Sequence, residues 1–340
     1  MQAGRRFSFW QTLAWERNHL ALFLILDSIP VVLYQVLGWG WVVIPWQPVS
    51  LVGIALAFYL GFKNNSAYER LAEGRKVWEG IVTASRNFTM MVRDFIDDHD
   101  AEVEASEAEL DAVRKTIIYR HLAWVHTLTL LLREPRPWEH YGRRDDSFRR
   151  SLGVHPEEGD WDRLRAFLPA EELDRLGKKS YKASYLLDLQ ARDLRELYRK
   201  GLIERRRHLE LVQCLGELTG LQGASERLKE FPFPRQFASA NFYFMWTFIV
   251  LLPFAMISPF TATGSDHLIW LSIPFSVLVS LIFFTMEVIG DYSENPFEGL
   301  YHDVPITAIA REIEIEIRET LGETDLPERV TPASTFEILY

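Results

Sequence analysis

Three long stretches of this 340-residue chain contain no Asp, Glu, Lys or Arg, and they limit what the chain can fold into more than any other feature. Residues 28–62 form a run of 35, residues 236–265 a run of 30 and residues 268–286 a run of 19. A helix needs roughly 20 apolar residues to cross the hydrocarbon core of a bilayer. The chain averages of 48% hydrophobic and 25% charged residues would suit a soluble globular protein, but their distribution predicts several membrane crossings.

Charges, prolines and glycines divide these stretches into four transmembrane helices that form two hairpins. Trp39, Trp41 and Trp46 lie between the first two helices and suit the headgroup region of a bilayer. The second hairpin is expected to close through a tight turn over residues 258–266. The predicted spans are residues 20–37, 50–62, 237–257 and 268–289.

Basic residues near the span ends predict the orientation. Arg17 precedes the first span, Lys63 follows the second and Arg235 precedes the third, whereas neither hairpin loop contains Lys or Arg. Positively charged residues favour the cytoplasmic side, so both termini and the middle of the chain are expected there. The single cysteine, Cys214, excludes an intrachain disulfide and agrees with a reducing compartment.

The polar residues between the two hairpins are predicted to be helical. Apolar residues recur every three or four positions over residues 77–96, 110–132, 185–198 and 209–221. Residues 135–179 indicate a loop with one short helix starting near Pro169.

After the last span, another helix is predicted from a single apolar face that must be buried. Its residues are Ile306, Ile309, Ile313, Ile317 and Leu321.

The expected fold class is therefore all-α, a polytopic membrane protein with four transmembrane helices and a helical cytosolic domain. Five segments follow from the spans. They are a cytosolic N-terminal segment (1–19), a first transmembrane hairpin (20–62), a cytosolic helical domain (63–235), a second hairpin (236–289) and a cytosolic C-terminal helix and tail (290–340).

The second span carries two parallel stripes. Ile54, Phe58 and Phe62 recur every fourth residue and form one apolar stripe. Small residues form the other, and small residues at this spacing let a neighbouring helix approach closely in a membrane. From the pattern alone, the large residues can face lipid, a protein core or a pore. The small residues of the helix-packing stripe are Gly53, Ala57 and Gly61.

Four motifs in this order resemble the bestrophins. They are GFKNNSAYERLAEGRKVW from Gly61, KGLI from Lys200, FPFP from Phe231 and ENPFE from Glu294, and the similarity extends from about Phe7 to Leu321. The resemblance implies a homopentameric ion channel in the inner membrane of a bacterium. Its second helix would line a central pore, with a hydrophobic neck above a wide cytosolic vestibule.

By the same resemblance, the pore neck falls on Ile54, Phe58 and Phe62. An apolar ring can control passage by excluding water, but it does not by itself choose the sign of the ion. Asn64 and Asn65 follow just below the neck, where their amides would meet a passing ion or bridge neighbouring helices.

A second constriction is expected at the cytosolic mouth, shortly after the Gly-Leu-Ile turn. Members of the family usually have an apolar residue there, whereas this chain has Arg206, Arg207 and His208. A ring of arginines would favour anions, and a histidine would add pH sensitivity. The alternative is a solvated charge run at the start of a helix.

No metal site, cofactor site or catalytic constellation is predicted. The acidic cluster over residues 97–111 lacks the glycine of an EF-hand loop. In animal bestrophins a consecutive acidic run after the Asn-Pro-Phe motif helps to form a calcium clasp, whereas only Glu298 and Asp303 occur here. The chain is therefore expected not to require calcium.

The predicted function is a passive ion channel that is permeable to anions such as chloride. Two alternatives stay open: a cation-permeable channel of the same fold, and a non-conducting scaffold that the hairpins anchor in the membrane. The expected partners are further copies of the chain, the lipid bilayer and permeant inorganic ions, with no nucleic acid.

Overall fold

The computed structural model describes residues 9–98, 105–140, 161–262, 264–300, 302–332 and 339. Every regular element in these residues is helical, and ten are α-helices. In chain order they are α1 (Phe9–Gln35), α2 (Trp46–Phe95), α3 (Glu107–Arg133), α4 (Ala170–Gly177), α5 (Lys182–Arg199), α6 (Arg205–Glu230), α7 (Arg235–Thr261), α8 (Asp266–Ile269), α9 (Ser272–Tyr292) and α10 (Ile306–Thr320).

The described residues divide into two compact units. The span unit contains the residues up to Arg70 together with Pro232–Glu294. The helical unit contains Leu71–Phe231 and the residues from Asn295 onward. Both units are therefore built from segments that are distant in sequence.

Four helical stretches of the described chain are long and apolar enough to cross a membrane. They are Glu16–Gln35, Gly40–Phe95, Arg205–Thr261 and Asp266–Tyr292, and each overlaps one of the predicted spans. In lipid a helix satisfies its own backbone hydrogen bonds, which explains why uncharged runs of this length become helices.

The span unit has its own apolar core. Phe23, Leu60, Met245 and Leu252 from α1, α2 and α7 are completely buried in it. Ser280 on α9 donates a hydrogen bond of 3.4 Å to Asp27 on α1, so a buried carboxylate has a polar partner inside this unit. α1, α7 and α9 therefore pack on one another along their lengths.

Helix α2 runs without interruption for 50 residues. The sequence predicts a short apolar span that continues as an amphipathic helix and, further on, a helical segment over residues 77–96. No proline follows Pro48 within α2, so nothing removes a backbone hydrogen bond where the apolar part gives way to the polar part. The apolar and polar segments are consequently parts of one helix.

The expected turn between the third and fourth spans begins later than predicted. Helix α7 continues through Pro253 and Pro259 to Thr261, because prolines are tolerated in apolar membrane helices. The chain then turns through Gly264, whose φ of +74° lies in the left-handed region that favours glycine. The short helix α8 precedes the fourth span.

The helical unit packs around aromatic residues of α2 and α3. Trp78 and Phe88 on α2 and Trp124 on α3 are buried, and Trp124 donates a hydrogen bond of 2.9 Å to Gln222 on α6. Ser106 and Glu109 form a reciprocal capping box that starts α3. The helices predicted between the two hairpins are therefore confirmed, although each is longer than its pattern indicated.

The C-terminal helix buries its predicted stripe in the helical unit. Ile306, Ile313 and Ile317 are buried in the core of this unit, and Ile309 and Leu321 pack against it. The prediction of a buried apolar face on α10 is confirmed. The linker between α3 and α4 also contains a short 3₁₀ helix, Trp161–Ala166, that the sequence pattern did not indicate.

Candidate functional site: one face of α2

The three predicted neck residues project from the uncovered face of α2. In the single chain, the exposed fractions are 56% for Ile54, 69% for Phe58 and 74% for Phe62. Their neighbours Leu56 and Leu60 are buried in the core of the span unit. The helix is therefore apolar on both faces, and the rest of the chain covers only one of them.

Aromatic contacts fix which face of α2 is covered. Tyr59 stacks on Phe237 of α7 with ring centroids 6.2 Å apart, and it meets Phe244 edge-on at 6.4 Å. Such pairs contribute about 0.5–1.5 kcal/mol beyond their buried area. Because Tyr59 follows Phe58 directly, this packing turns Phe58 away from α7.

The three small residues predicted to pack helices have different surroundings. A Cβ atom on Gly53 would lie 2.8 Å from Cε2 of Phe248, so this glycine lets α2 and α7 approach closely. Ala57 is exposed, and a Cβ atom on Gly61 would meet nothing within 4 Å. Within one subunit only Gly53 serves a close contact, and the packing role of Ala57 and Gly61 stays a prediction.

Just below Phe62 lies a charged cluster that the sequence reasoning did not identify. Lys63 of α2 is 3% exposed, and its Nζ donates to Oε1 of Glu287 on α9 over 2.5 Å. Asn241 of α7 donates to the other oxygen of Glu287. The sequence pattern marks Lys63 only as the residue that follows the second span. The one sequence signal for the cluster is Glu287, which directly follows the uncharged run 268–286.

The two asparagines below the neck differ in environment. Asn65 is exposed and donates a hydrogen bond of 2.8 Å to Glu69, one turn further along α2. Asn64 is partly buried, and its side chain lies against Gly290 of α9. Asn65 is thus the one of the two that lies on the uncovered face of α2.

The basic residues at the predicted mouth are not equivalent. Arg206 is 85% exposed and lies 3.5 Å from Glu210 on the same helix. Arg207 instead pairs with Asp97, and its guanidinium lies 5.6 Å from the ring centroid of Phe95. Arg207 is therefore partly neutralised within its own subunit, and Arg206 has the more available charge.

His208, the third residue at the predicted mouth, packs against its own subunit. Its ring stacks on Tyr198 with centroids 5.0 Å apart. Burial lowers the pKa of His208, which reduces its charged fraction at neutral pH. An uncharged, partly buried imidazole contributes little to a basic ring.

The two carboxylates after the Asn-Pro-Phe motif have protein partners. Glu298 lies 3.1 Å from Nδ1 of His140. Asp303 accepts hydrogen bonds from the backbone amides of Gly299 and Leu300, at 2.5 and 3.0 Å. Burial, together with the charge of Glu298, raises the pKa of Asp303 to about 7. Among the described residues, no group of three or more His, Cys, Asp or Glu side chains is placed to hold a metal ion.

The four apolar helices, their packed core and the uncovered apolar face of α2 define a polytopic, all-helical membrane protein. The chain matches the family model of the bacterial and fungal bestrophin proteins over residues 17–319. It therefore belongs to that family, and the resemblance seen in the four motifs is confirmed.

Two channel-forming proteins of bacteria are similar to this chain over most of their length. The voltage-dependent anion channel-forming protein YneE of Escherichia coli O157:H7 is 24% identical over 291 residues, which cover 86% of this chain and 82% of that protein. The voltage-dependent anion channel-forming protein RSc3414 of Ralstonia nicotianae is 27% identical over 280 residues, which cover 82% and 78%.

A solved structure has the same fold. The crystal structure of a bacterial bestrophin homologue from Klebsiella pneumoniae matches with a TM-score of 0.72 and 23% identity. The match covers 91% of this chain and 99% of that one. The all-helical architecture found here is therefore that of the solved homologue.

Proposed function

We propose that this protein is the subunit of a passive anion channel in which α2 lines a central pore. Ile54, Phe58 and Phe62, left uncovered on a helix whose other face is packed, carry this proposal. A helix face of large, exposed apolar side chains is expected to contact lipid, another subunit or the lumen of a pore. The names of the relatives, which are anion channel-forming proteins, favour the pore.

The channel is proposed to be a homopentamer in which each subunit contributes one copy of this face. Three apolar rings would then follow one another along the axis and form a hydrophobic neck. A narrow apolar passage loses its water and blocks ions, and a small widening restores both water and current. The neck would act as a gate without any charged group.

Anion preference is assigned to the cytosolic mouth rather than to the neck. Arg206 is the most exposed of the three basic residues there, and arginine rings favour anions. Chloride is the expected physiological anion. Because Arg207 is paired with Asp97 and His208 packs on Tyr198, Arg206 should dominate selectivity.

The proposed location is the inner membrane of a bacterium, with both termini in the cytoplasm. The distribution of Lys and Arg at the span ends supports this orientation. The helical unit would then be cytosolic and surround the vestibule.

Reversal potentials of the purified protein in liposomes, measured in asymmetric sodium chloride, test the proposal. We expect the potential to lie near the chloride equilibrium value. The variant with Ile54→Ala, Phe58→Ala and Phe62→Ala should carry at least tenfold more current, because a wider neck stays wetted. Arg206→Ala should shift the potential toward zero, whereas Lys178→Ala, at a 72% exposed lysine, is the control.

Other results of these measurements would support a different function for this protein. A reversal potential near the sodium value would indicate a cation channel of the same fold. No current from either the wild type or the neck variant would indicate a membrane-anchored scaffold. A current that appears only on calcium addition would contradict the expectation that calcium is not required.

A further inference from the structure

A buried charged network ties three helices of the span unit together beside the proposed neck. Lys63 of α2 lies 2.5 Å from Glu287 of α9 and 3.6 Å from Asp291, one turn further on. Asn241 of α7 donates to the second carboxylate oxygen of Glu287. Glu287 is 6% exposed and Asn241 is fully buried, so the network lies inside the subunit.

The backbone of α9 is shaped for this contact. A Cβ atom on Gly290 would collide with the side-chain amide of Asn64 and would lie 3.8 Å from Cδ of Lys63. Glycine at this position allows α9 to approach α2 closely enough for the short ion pair. The approach and the ion pair therefore depend on each other.

The network holds the residue next to Phe62. Consecutive residues of an α-helix project about 100° apart, so a fixed direction for Lys63 fixes the direction of Phe62 on the other side of the helix. Side chains extend roughly 5–6 Å from the helix axis. A rotation of α2 by about 20° would therefore move the edge of Phe62 by about 2 Å, which is large for a narrow apolar neck.

Stability alone does not explain a charged contact at this place. A buried ion pair is often no more stabilising than apolar residues of the same volume, because both charges lose their hydration. It differs from apolar packing in being directional. Tyr59 and Gly53 pack α2 against rings of α7 through apolar surfaces, and the ion pair adds a directional contact that specifies one rotation and one register.

We propose that Lys63, Glu287 and Asn241 are positioning residues that set the rotation of α2 and so determine whether the neck is wetted. This inference rests on the proposed channel function and adds how its gate is held. The three residues do not touch the permeating ion. They act through Phe58 and Phe62.

Single-channel recording of Glu287→Gln and Lys63→Met in two backgrounds tests this role. With the native neck, each variant should change open probability at least threefold. In the background of Ile54→Ala, Phe58→Ala and Phe62→Ala, the same substitutions should change it less than 1.5-fold, because the neck no longer depends on rotation. Lys178→Met, which breaks an exposed ion pair with Asp174, is the control that should change neither.

The charge-swapped double variant, Lys63→Glu with Glu287→Lys, completes the test. It should return open probability to within twofold of the wild type, because it restores an ion pair in the same place. Equal effects in both neck backgrounds, or assembly failure in every variant including Glu287→Gln, would show a purely structural role and overturn the inference. Unchanged gating in a conducting protein would also overturn it, whereas absent current in the wild type would contradict the channel function instead.

Discussion

In the helical unit, the neighbours of a buried ionisable residue determine whether its side chain is charged. Arg120 of α3 is 5% exposed and binds two carboxylates, Glu172 of α4 and Asp193 of α5. Its charge is kept because both partners neutralise it and accept its hydrogen bonds. One arginine thus connects three helices that the sequence separates by up to 73 residues.

His121, one residue further along α3, has the opposite environment. It is 1% exposed, its ring lies 5.1 Å from Phe88 and 5.4 Å from Trp124, and neither ring nitrogen has a hydrogen-bond partner. Burial among aromatic rings disfavours the charged imidazolium and lowers the pKa of His121 to about 3. The residue is neutral in the folded protein at physiological pH.

Acid should therefore destabilise the protein partly through His121. The unfolded chain binds the proton near pH 6.5 and the folded chain only near pH 3, so the stability contribution is present above 6.5 and is lost as the pH falls toward 3. Between pH 7 and pH 5 the loss is about 2 kcal/mol. Denaturant unfolding of detergent-solubilised wild type and His121→Phe at both pH values should show this loss only in the wild type.

The stability contribution of Asp303 has the opposite pH dependence. The pKa of Asp303 is raised from 3.8 to about 7, so its contribution to stability is largest below pH 3.8 and is lost as the pH rises toward 7, the reverse of His121. Asp303 is present in both proteins and cancels in the comparison. An equal loss of stability on acidification in the wild type and in His121→Phe would contradict the assignment.

At the scale of one element, α2 combines two faces with different requirements. Gly53, Leu56, Leu60 and Lys63 lie on the face that the span unit covers. The face with Phe58 is left for lipid, another subunit or the pore. A helix that is apolar all round is expected where both sides are removed from water.

Two glycines on α2 differ in whether their own chain packs against them. Gly53→Ala should destabilise the subunit by about 1–3 kcal/mol, because the new methyl group meets the ring of Phe248 at 2.8 Å. Gly61→Ala meets nothing within 4 Å in its own chain and should leave subunit stability unchanged. Thermal unfolding midpoints in detergent measure the first effect.

The same pair tests the predicted packing of Gly61 against a second subunit. If Gly61 contacts a neighbouring copy, Gly61→Ala should weaken assembly on size-exclusion chromatography without lowering the unfolding midpoint of the subunit. Native assembly of Gly61→Ala would remove Gly61 from the packing stripe. A midpoint for Gly53→Ala equal to that of the wild type would contradict the close approach of α2 and α7.

At the scale of the whole molecule, uncharged runs and charged segments alternate along the chain. The net charge of −10 is not spread over the membrane-crossing stretches, since residues 28–62 and 236–265 carry no charged side chain. This alternation determines how many times the chain crosses the bilayer and which segments stay in water. Because the number of spans is even, both termini are expected on one side.

Labelling with a membrane-impermeant maleimide tests this topology. In spheroplasts, His267→Cys should be labelled directly, because this exposed residue lies between the third and fourth spans. Lys178→Cys, in the helical unit, should be labelled only after permeabilisation. The wild type is a suitable background, because Cys214 is buried and burial raises the pKa of its thiol to about 11. Labelling of Lys178→Cys in intact spheroplasts would reverse the proposed orientation.

Mass measurement of the purified, detergent-solubilised protein tests the subunit count. Native mass spectrometry should give one species with five times the chain mass of 39.6 kDa. A monomer would leave the uncovered face of α2 without a partner and would contradict the pore. A closed assembly with another number of subunits would keep a shared axis and change only the width of the neck.

The sequence by itself determined the class of the fold. Uncharged runs of 19 to 35 residues predicted apolar helices, which satisfy their own backbone hydrogen bonds in lipid, and periodic apolar residues predicted the helices between the hairpins and the buried face of α10. The four motifs were enough to recognise the family. These features are local or ordered along the chain, so they can be read without knowing which residues meet.

The tertiary structure decided which residues become partners. The ion pair of Lys63 and Glu287 joins positions 224 residues apart, and the sequence around either residue does not identify its partner. The covered side of α2, the pairing of Arg207 with Asp97 and the burial of His121 likewise depend on how distant helices pack. Burial and the nearest opposite charge set the behaviour of an ionisable side chain, and both are properties of three-dimensional neighbours rather than of sequence spacing.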